Sequence, residues 1–286
     1  MECSSPIFLP RQGETVACGY CVGCLSNSRR DWATRLYYEH RASKNAYFLT
    51  LTYEEASLPR CETGHGTLCK SDVQLFLKTI RNKHRRRTKG GTRISSCPRW
   101  FVVGEYGAKT GRPHYHAIVF NIDAVVVREI ARYWKKGHCK VSLLNQKRVM
   151  YCAKYQVTRL SVDCVSTDRV LPFKICTKSS GGLGKQWLTP ENCVSARLRL
   201  DGLISSASGR VPIPKYYRQR IGFTGSEKAA LYERWQESYE REFYRNIESL
   251  RALGYVDPYR ELAYRKEAYV GAILRRMTKA SLYETI

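Results

Sequence analysis

Acidic residues are scarce in this 286-residue chain: 25 Asp and Glu stand against 49 Lys and Arg, a formal charge of +24. That imbalance implies a polyanionic partner, nucleic acid first and an anionic membrane second. Long apolar runs are also lacking. None approaches the roughly 18 residues of a membrane span, so no such span is expected. The opening residues, Met1-Glu2-Cys3-Ser4-Ser5-Pro6, have no basic flank followed by an apolar stretch, so no secretory leader is expected. No internal repeat is visible. A phosphate loop is missing too: residues 181–186 (GGLGKQ) put Gln186 after Lys185, where G-x-x-x-x-G-K-[ST] needs a hydroxyl residue. Histidine is rare, with six in the chain.

What is present fits a globular protein. Hydrophobic residues make up 43% and charged residues 26%, enough for a core and too apolar for wholesale disorder. The length allows one large domain or two modest ones. The charge is unevenly spread. Residues 226–286 hold 11 Lys/Arg and 10 Asp/Glu, a net of +1, whereas residues 1–225 hold 38 and 15, a net of +23. The basic surface therefore belongs to the first 225 residues. Twelve cysteines are many for a chain without a leader, and most are expected to be reduced, buried, small apolar residues.

Along the chain, residues 1–25 read as a Cys/Gly/Pro-rich extended lead-in. Ser28-x-x-Asp31 resembles a capping box, with Trp32, Ala33, Leu36 and Tyr37 at helical spacing, so a helix is expected over 28–42. Residues 47–53 (YFLTLTY) read as a strand, 71–87 as a helix, 99–105 and 114–120 as the arms of a hairpin. A helix over 123–135, a strand over 138–144 and a helix over 146–158 follow. The order β-α-β-β-α-β is that of a split βαβ sandwich, an α+β fold. Residues 160–225 read as irregular. Residues 226–252 and 258–283 read as two helices.

The sharpest chemical motif is His114-Tyr115-His116. Residues i and i+2 of a strand share a face, so the two imidazoles project together. Glu105, nine residues earlier on the paired strand, comes beside them if the hairpin turns near 107–112. Two imidazoles and a carboxylate make a divalent-metal site with open positions. The alternative is a pair of surface histidines on a half-exposed strand. In Tyr151-Cys152-Ala153-Lys154-Tyr155 the two phenols lie one helical turn apart on one face, with Lys154 beside the second. Tyrosinate is a nucleophile toward phosphorus, but its ordinary pKa of about 10 calls for activation. The alternative is an amphipathic edge, since tyrosine is abundant at 20 residues.

Cys18-x-x-Cys21-x-x-Cys24 has zinc-like spacing but only three ligands, so Cys61, His65 or Cys69 is expected to supply a fourth. Reduced thiols in a packed turn fit the same spacing. The run 81–89 carries Arg81, Lys83, Arg85, Arg86, Arg87 and Lys89. It reads as a phosphate-backbone contact with salt-sensitive binding rather than a merely solvated helix end. Lys135, Lys136 and Lys140 are candidates to extend it.

In combination these motifs resemble a known family. Residues 47–53, 104–120 (GEYGAKTGRPHYHAIVF) and 151–155 (YCAKY) occur in the order of the HUH-type rolling-circle replication initiators. With 18–24 (CGYCVGC), Trp32-Ala33, 181–187 (GGLGKQW) and 214–217 (PKYY), the chain resembles the initiators of gokushovirus-type microviruses, single-stranded DNA bacteriophages. The resemblance spans roughly residues 16–218. It implies an HUH endonuclease fold: a central antiparallel sheet flanked by helices, with a Cys-rich N-terminal extension and a helical C-terminal tail. Its expected parts are a lead-in and helix (1–45), a nuclease core (46–160), a basic extension packed on the core (161–225) and the tail (226–286).

The resemblance further implies that His114, His116 and Glu105 hold Mg²⁺ or Mn²⁺. It makes Tyr151 and Tyr155 the two nucleophiles, with Lys154 assisting. The implied reaction is a nick in single-stranded or origin DNA through a 5′-phosphotyrosine, followed by circularisation of the displaced strand. Host helicase and polymerase act alongside, in the cytoplasm of a bacterial host. Two other functions fit part of the sequence: a non-enzymatic, zinc-stabilised DNA- or RNA-binding protein, and an HUH transposase or relaxase. The tail, with Tyr232, Trp235, Tyr239 and Phe243 at regular spacing, reads as a packing or self-association element.

Overall fold

The computed structural model describes residues 3–11, 13–89, 97–107, 110–154 and 168–280. Two short strands, β1 (Ile7–Leu9) and β2 (Glu14–Val16), pair as an antiparallel hairpin and lead to α1 (Val22–Ala42). Then come β3 (Ala46–Tyr53), α2 (Lys70–Lys89), β4 (Arg99–Tyr106), β5 (Pro113–Phe120), α3 (Ala124–Tyr133), β6 (Gly137–Leu143) and α4 (Gln146–Lys154). The expected order β-α-β-β-α-β is thus observed from β3 to β6. Contrary to the irregular reading of 160–225, that stretch holds β7 (Phe173–Cys176), α5 (Pro190–Arg199), the hairpin β8 (Leu203–Ser206) and β9 (Gly209–Pro212), and α6 (Lys215–Ile221). The strands here have only four residues each, too short for an alternation to stand out. Last come α7 (Gly225–Ala252) and α8 (Pro258–Ala280).

Helix α1 starts at Val22, upstream of the expected 28, so Ser28 is an interior residue. Cys24 and Leu25 extend the buried stripe of Ala33 and Leu36 backwards, and the helix follows the stripe. No helix among the described residues is long and apolar enough to cross a membrane.

The chain divides into two compact units, one of residues 25–186 and 278–286, the other of residues 1–24 and 187–277. The first holds a five-stranded antiparallel sheet in the order β6-β3-β5-β4-β7. Period-two alternation gives the sheet two apolar faces. Leu49, Leu51, Tyr115, Ala117 and Val102 face α2 and α3, meeting Val73, Phe76, Ile80, Val126 and Ile130. Phe48, Ile118, Phe120, Phe101 and Val103 face the other way and meet Leu36 of α1 and Val149 and Cys152 of α4. Gly104 sits where β4 passes the buried Tyr115 ring. A Cβ there would lie 3.0 Å from that ring and 3.1 Å from Leu68, so only glycine fits without a shift.

Residues 181–184 are clamped inside this unit. Glu39 of α1 accepts from the Gly184 amide at 2.7 Å and pairs with Arg99 at 2.5 Å. The Arg35 guanidinium donates to the Leu183 carbonyl at 3.0 and 3.1 Å, and Leu183 is fully buried. The glycine-rich stretch is therefore a structural strap. In the other unit, Thr224 caps α7 reciprocally with Glu227, and Phe243 against Tyr259 and Tyr239 against Lys266 fold α8 antiparallel onto α7.

Candidate active site

The register of the β4–β5 hairpin assembles the acidic and imidazole groups. Glu105 pairs with His114, and Val103 with His116, so Glu105, His114 and His116 share the face that carries α1 and α4. Glu105 Oε1 lies 2.8 Å from Nε2 of both histidines. One ligand atom from each residue falls within 4.8 Å of the other two. Glu105 and His116 are buried, with side chains 5% and 2% exposed, while His114 at 14% opens toward solvent.

The other ring nitrogens set the tautomers. His114 Nδ1 lies 3.1 Å from the Arg112 carbonyl, which can only accept, so Nδ1 carries the proton. Nε2 then turns its lone pair toward Glu105 Oε1. Two acceptors at 2.8 Å require a proton or a cation between them. His116 Nδ1 meets the Thr50 hydroxyl at 3.2 Å, again leaving Nε2 for the centre. This donor set, two imidazoles and one carboxylate oriented by groups behind them, fits a divalent cation. Neither Thr50 nor Arg112 stood out in the sequence. Arg112 is itself anchored by Glu55 at 2.7 Å and the Tyr53 carbonyl at 2.9 Å.

Helix α4 brings one phenol to this group. Val149, Cys152 and Ala153 bury its inner face and Tyr151 sits half-buried beside them. The Tyr151 hydroxyl is 3.4 Å from His116 Nε2, and the two rings meet edge to face with centroids 5.0 Å apart. Phe48 stacks on the other side of His116 at 5.4 Å. Burial pushes the Cys152 thiol well above its ordinary pKa, and the Glu105 charge adds to this, so that thiol stays neutral. Tyr155 and the Lys154 side chain lie outside the described residues.

Tyr115, between the two histidines, has a different task. It points to the α2/α3 face and bonds the Tyr53 hydroxyl at 3.0 Å and the Cys69 amide at 2.7 Å. Burial raises both phenols, which therefore remain protonated struts of the core.

The basic run is not brought to this centre. It lies on α2, packed against the opposite face of the sheet. Arg81 stacks over Trp100 at 4.6 Å, Lys83 over Tyr133 at 5.4 Å, and Arg87 pairs with Asp123 at 3.2 Å. Arg85 and Arg86 are exposed, and the Lys89 side chain lies outside the described residues. The register instead sets two other lysines on the histidine face. Lys140, Thr50, His116, Val103 and Lys174 are successive partners across β6, β3, β5, β4 and β7. Strand spacing puts each lysine backbone roughly 10 Å from that of His116. Lys174 lies in a segment without a sequence signal of its own.

Cys18, Cys21 and Cys24 do converge, but the fourth member is Cys3, not the expected Cys61, His65 or Cys69. Cys61 bonds Thr63 at 3.1 Å and Cys69 bonds Ser71 at 3.1 Å. Burial pushes the Cys21 thiol up, but hydrogen bonds from the backbone of Cys24 and Ser4 and their side chains outweigh it, bringing it down to about 5. Burial lifts Cys24 to about 12.

Comparison with known proteins agrees with the motifs. Residues 46–159 match a family described as replication-associated proteins of the ORF2 type. The Replication-associated protein ORF2 of Spiroplasma virus 4 is 28% identical over 226 residues, 73% of this chain and 68% of that one. The Replication-associated protein VP4 of Bdellovibrio phage phiMH2K is 27% identical over 231 residues, 76% of this chain and 70% of that one. The Replication-associated protein ORF4 of Chlamydia phage 1 is 26% identical over 166 residues, 51% of this chain and 39% of that one. No solved structure matches significantly. With its hairpin motif inside the matched segment, the chain resembles the replication-associated proteins of microviruses, as its motifs implied.

Proposed function

We propose that this protein starts rolling-circle DNA replication in the cytoplasm of a bacterial host, as an HUH-type nicking and joining endonuclease. The observation that carries the reading is a phenol, Tyr151, 3.4 Å from an imidazole that belongs to a Glu-His-His group. The five-stranded antiparallel sheet, with the histidines on a central strand, supports the HUH fold. Mg²⁺ or Mn²⁺ held by Glu105, His114 and His116 would polarise a scissile phosphoryl oxygen.

Tyr151 Oη attacks the phosphorus of a single-stranded origin segment and gives up its proton. A phosphorus–Oη bond forms, the 3′-oxygen leaves as a hydroxyl, and the 5′-phosphate stays on the tyrosine. Lys154, one residue before Tyr155, offsets charge near the second phenol. Tyr155 performs the second exchange, which closes the displaced strand into a circle. Each step trades one phosphoester for another, consistent with the missing phosphate loop. Host helicase and polymerase supply unwinding and extension. Lys140 and Lys174, flanking His116 along the sheet, hold the DNA backbone across the site.

The test mixes the protein with single-stranded oligonucleotides tiling its own genome and Mg²⁺ or Mn²⁺, followed by a denaturing gel. A covalent adduct is expected on an origin strand. It should vanish in the Tyr151→Phe/Tyr155→Phe double variant, and His114→Ala should lose cleavage while keeping DNA binding. Absence of any adduct on every strand would leave a non-enzymatic nucleic-acid-binding protein.

A further inference from the structure

We infer that Cys3, Cys18, Cys21 and Cys24 form a closed, four-thiolate zinc site that clamps the N-terminal hairpin to the start of α1. The inference does not rest on the nicking reading.

The distances decide between the chemistries open to four cysteines. A disulfide needs sulfurs about 2.05 Å apart. Here Cys18 Sγ to Cys24 Sγ and Cys21 Sγ to Cys3 Sγ are both 3.9 Å, and all four cysteines are free thiols. Zinc–sulfur bonds of about 2.3 Å at tetrahedral angles put the sulfurs roughly 3.8 Å apart. All four Sγ atoms lie within 4.8 Å of one another, the shape of that tetrahedron. Backbone amides also aim at the sulfurs. The Cys18 amide donates to Cys3 Sγ at 3.3 Å, Cys21 to Cys18 at 3.4 Å, and Cys24 to Cys21 at 3.5 Å. Donors arranged in this way favour thiolates, and metal ligands are held by such outer partners.

The topology explains why these four meet. Ile7 pairs with Val16, so the open end of the β1–β2 hairpin delivers Cys3 and Cys18 side by side. The turn into α1 then delivers Cys21 and Cys24 at i and i+3 spacing. The hairpin needs such a clamp. It has three residue pairs, with Ile7 41% and Phe8 59% exposed, and a two-stranded hairpin without a buried face is not self-supporting. Four protein ligands leave no open position, so the site is structural rather than catalytic. All-sulfur ligation selects zinc, while the Glu105–His114–His116 set, with its carboxylate and open positions, suits Mg²⁺ or Mn²⁺. The chain thus sorts two metals by ligand softness.

The test uses the full chain, expressed and purified without chelator. Elemental analysis should find about one zinc per chain, released when an organomercurial titrates the thiols. Cys3→Ser should weaken zinc binding about tenfold or more, as loss of one of four ligands requires. Cys61→Ser, Cys69→Ser and Cys97→Ser should keep it. Because Cys3→Ser could also unfold the hairpin, the wild-type protein is reconstituted with Co²⁺. Intense ligand-field bands and sulfur-to-metal charge transfer of a tetrahedral four-thiolate centre are expected. Zinc-free protein that yields no such spectrum overturns the site. Zinc retained in Cys3→Ser but lost in Cys61→Ser or Cys69→Ser overturns the assignment of Cys3, and iron in place of zinc overturns the metal.

Discussion

At the scale of single residues, the Thr50 hydroxyl and the Arg112 carbonyl decide how the two histidines present themselves. Each engages a ring Nδ1, at 3.2 and 3.1 Å, and leaves Nε2 for the centre. Thr50→Val keeps the shape and removes the hydroxyl. His116 then loses its orienting contact, and Mn²⁺ affinity, measured by titration calorimetry, should fall about 10- to 100-fold with the fold unchanged. An unaltered affinity would mean that ring packing against Phe48 alone holds His116. The three central residues were legible in the sequence because a hairpin turns a linear offset of nine into a cross-strand pair. Thr50 was not, because its contact depends on which strand lies beside β5. Cys3 was missed for a similar reason. Local C-x-x-C spacing is visible, but a ligand 15 residues upstream of Cys18 is joined only by the hairpin between them.

At the scale of elements, strands and helices with a strong periodicity ended close to where the pattern put them, as with β3 at Ala46–Tyr53 and α2 at Lys70–Lys89. The start of α1 and the short elements after residue 172 escaped, because a cysteine-rich turn and four-residue strands carry little periodicity. The strap at 181–184 shows what held a weakly patterned segment. Glu39, fully buried, joins Arg99 and the Gly184 amide, and Arg99 also bonds the Gly182 carbonyl. Glu39→Ala would leave a buried guanidinium and a buried amide without this carboxylate. Removing one partner of a buried ion pair costs about 3–5 kcal/mol, so the variant should lose that much in a denaturant titration. A loss within about 0.5 kcal/mol, the range of an ordinary surface substitution, would show that the strap is held by Leu183 packing instead.

At the scale of the whole molecule, the charge of +24 has an address. Residues 1–225 carry a net +23 and residues 226–286 a net +1, yet the basic run on α2 faces away from the histidines. Two sets of cations therefore have separate tasks to test. Lys140 and Lys174 lie on the histidine face, in register with His116, and Arg85 and Arg86 are exposed on the opposite layer. For single strands, the logarithm of the affinity falls with the logarithm of salt by about 0.7 per phosphate contacted. The Lys140→Ala/Lys174→Ala variant should therefore flatten the salt slope for a single-stranded origin oligonucleotide by about 1.4, measured by fluorescence anisotropy. Arg85→Ala/Arg86→Ala should leave that slope nearly unchanged and flatten the slope for duplex origin DNA instead, since a second face is free to hold the unopened helix. Arg241→Gln/Arg245→Gln on α7, where acids balance bases, should alter neither slope. If the α2 pair flattened the single-strand slope and the lysine pair did not, the strand would run over the α2 layer, away from Tyr151, and the nucleophile assignment would fall with it.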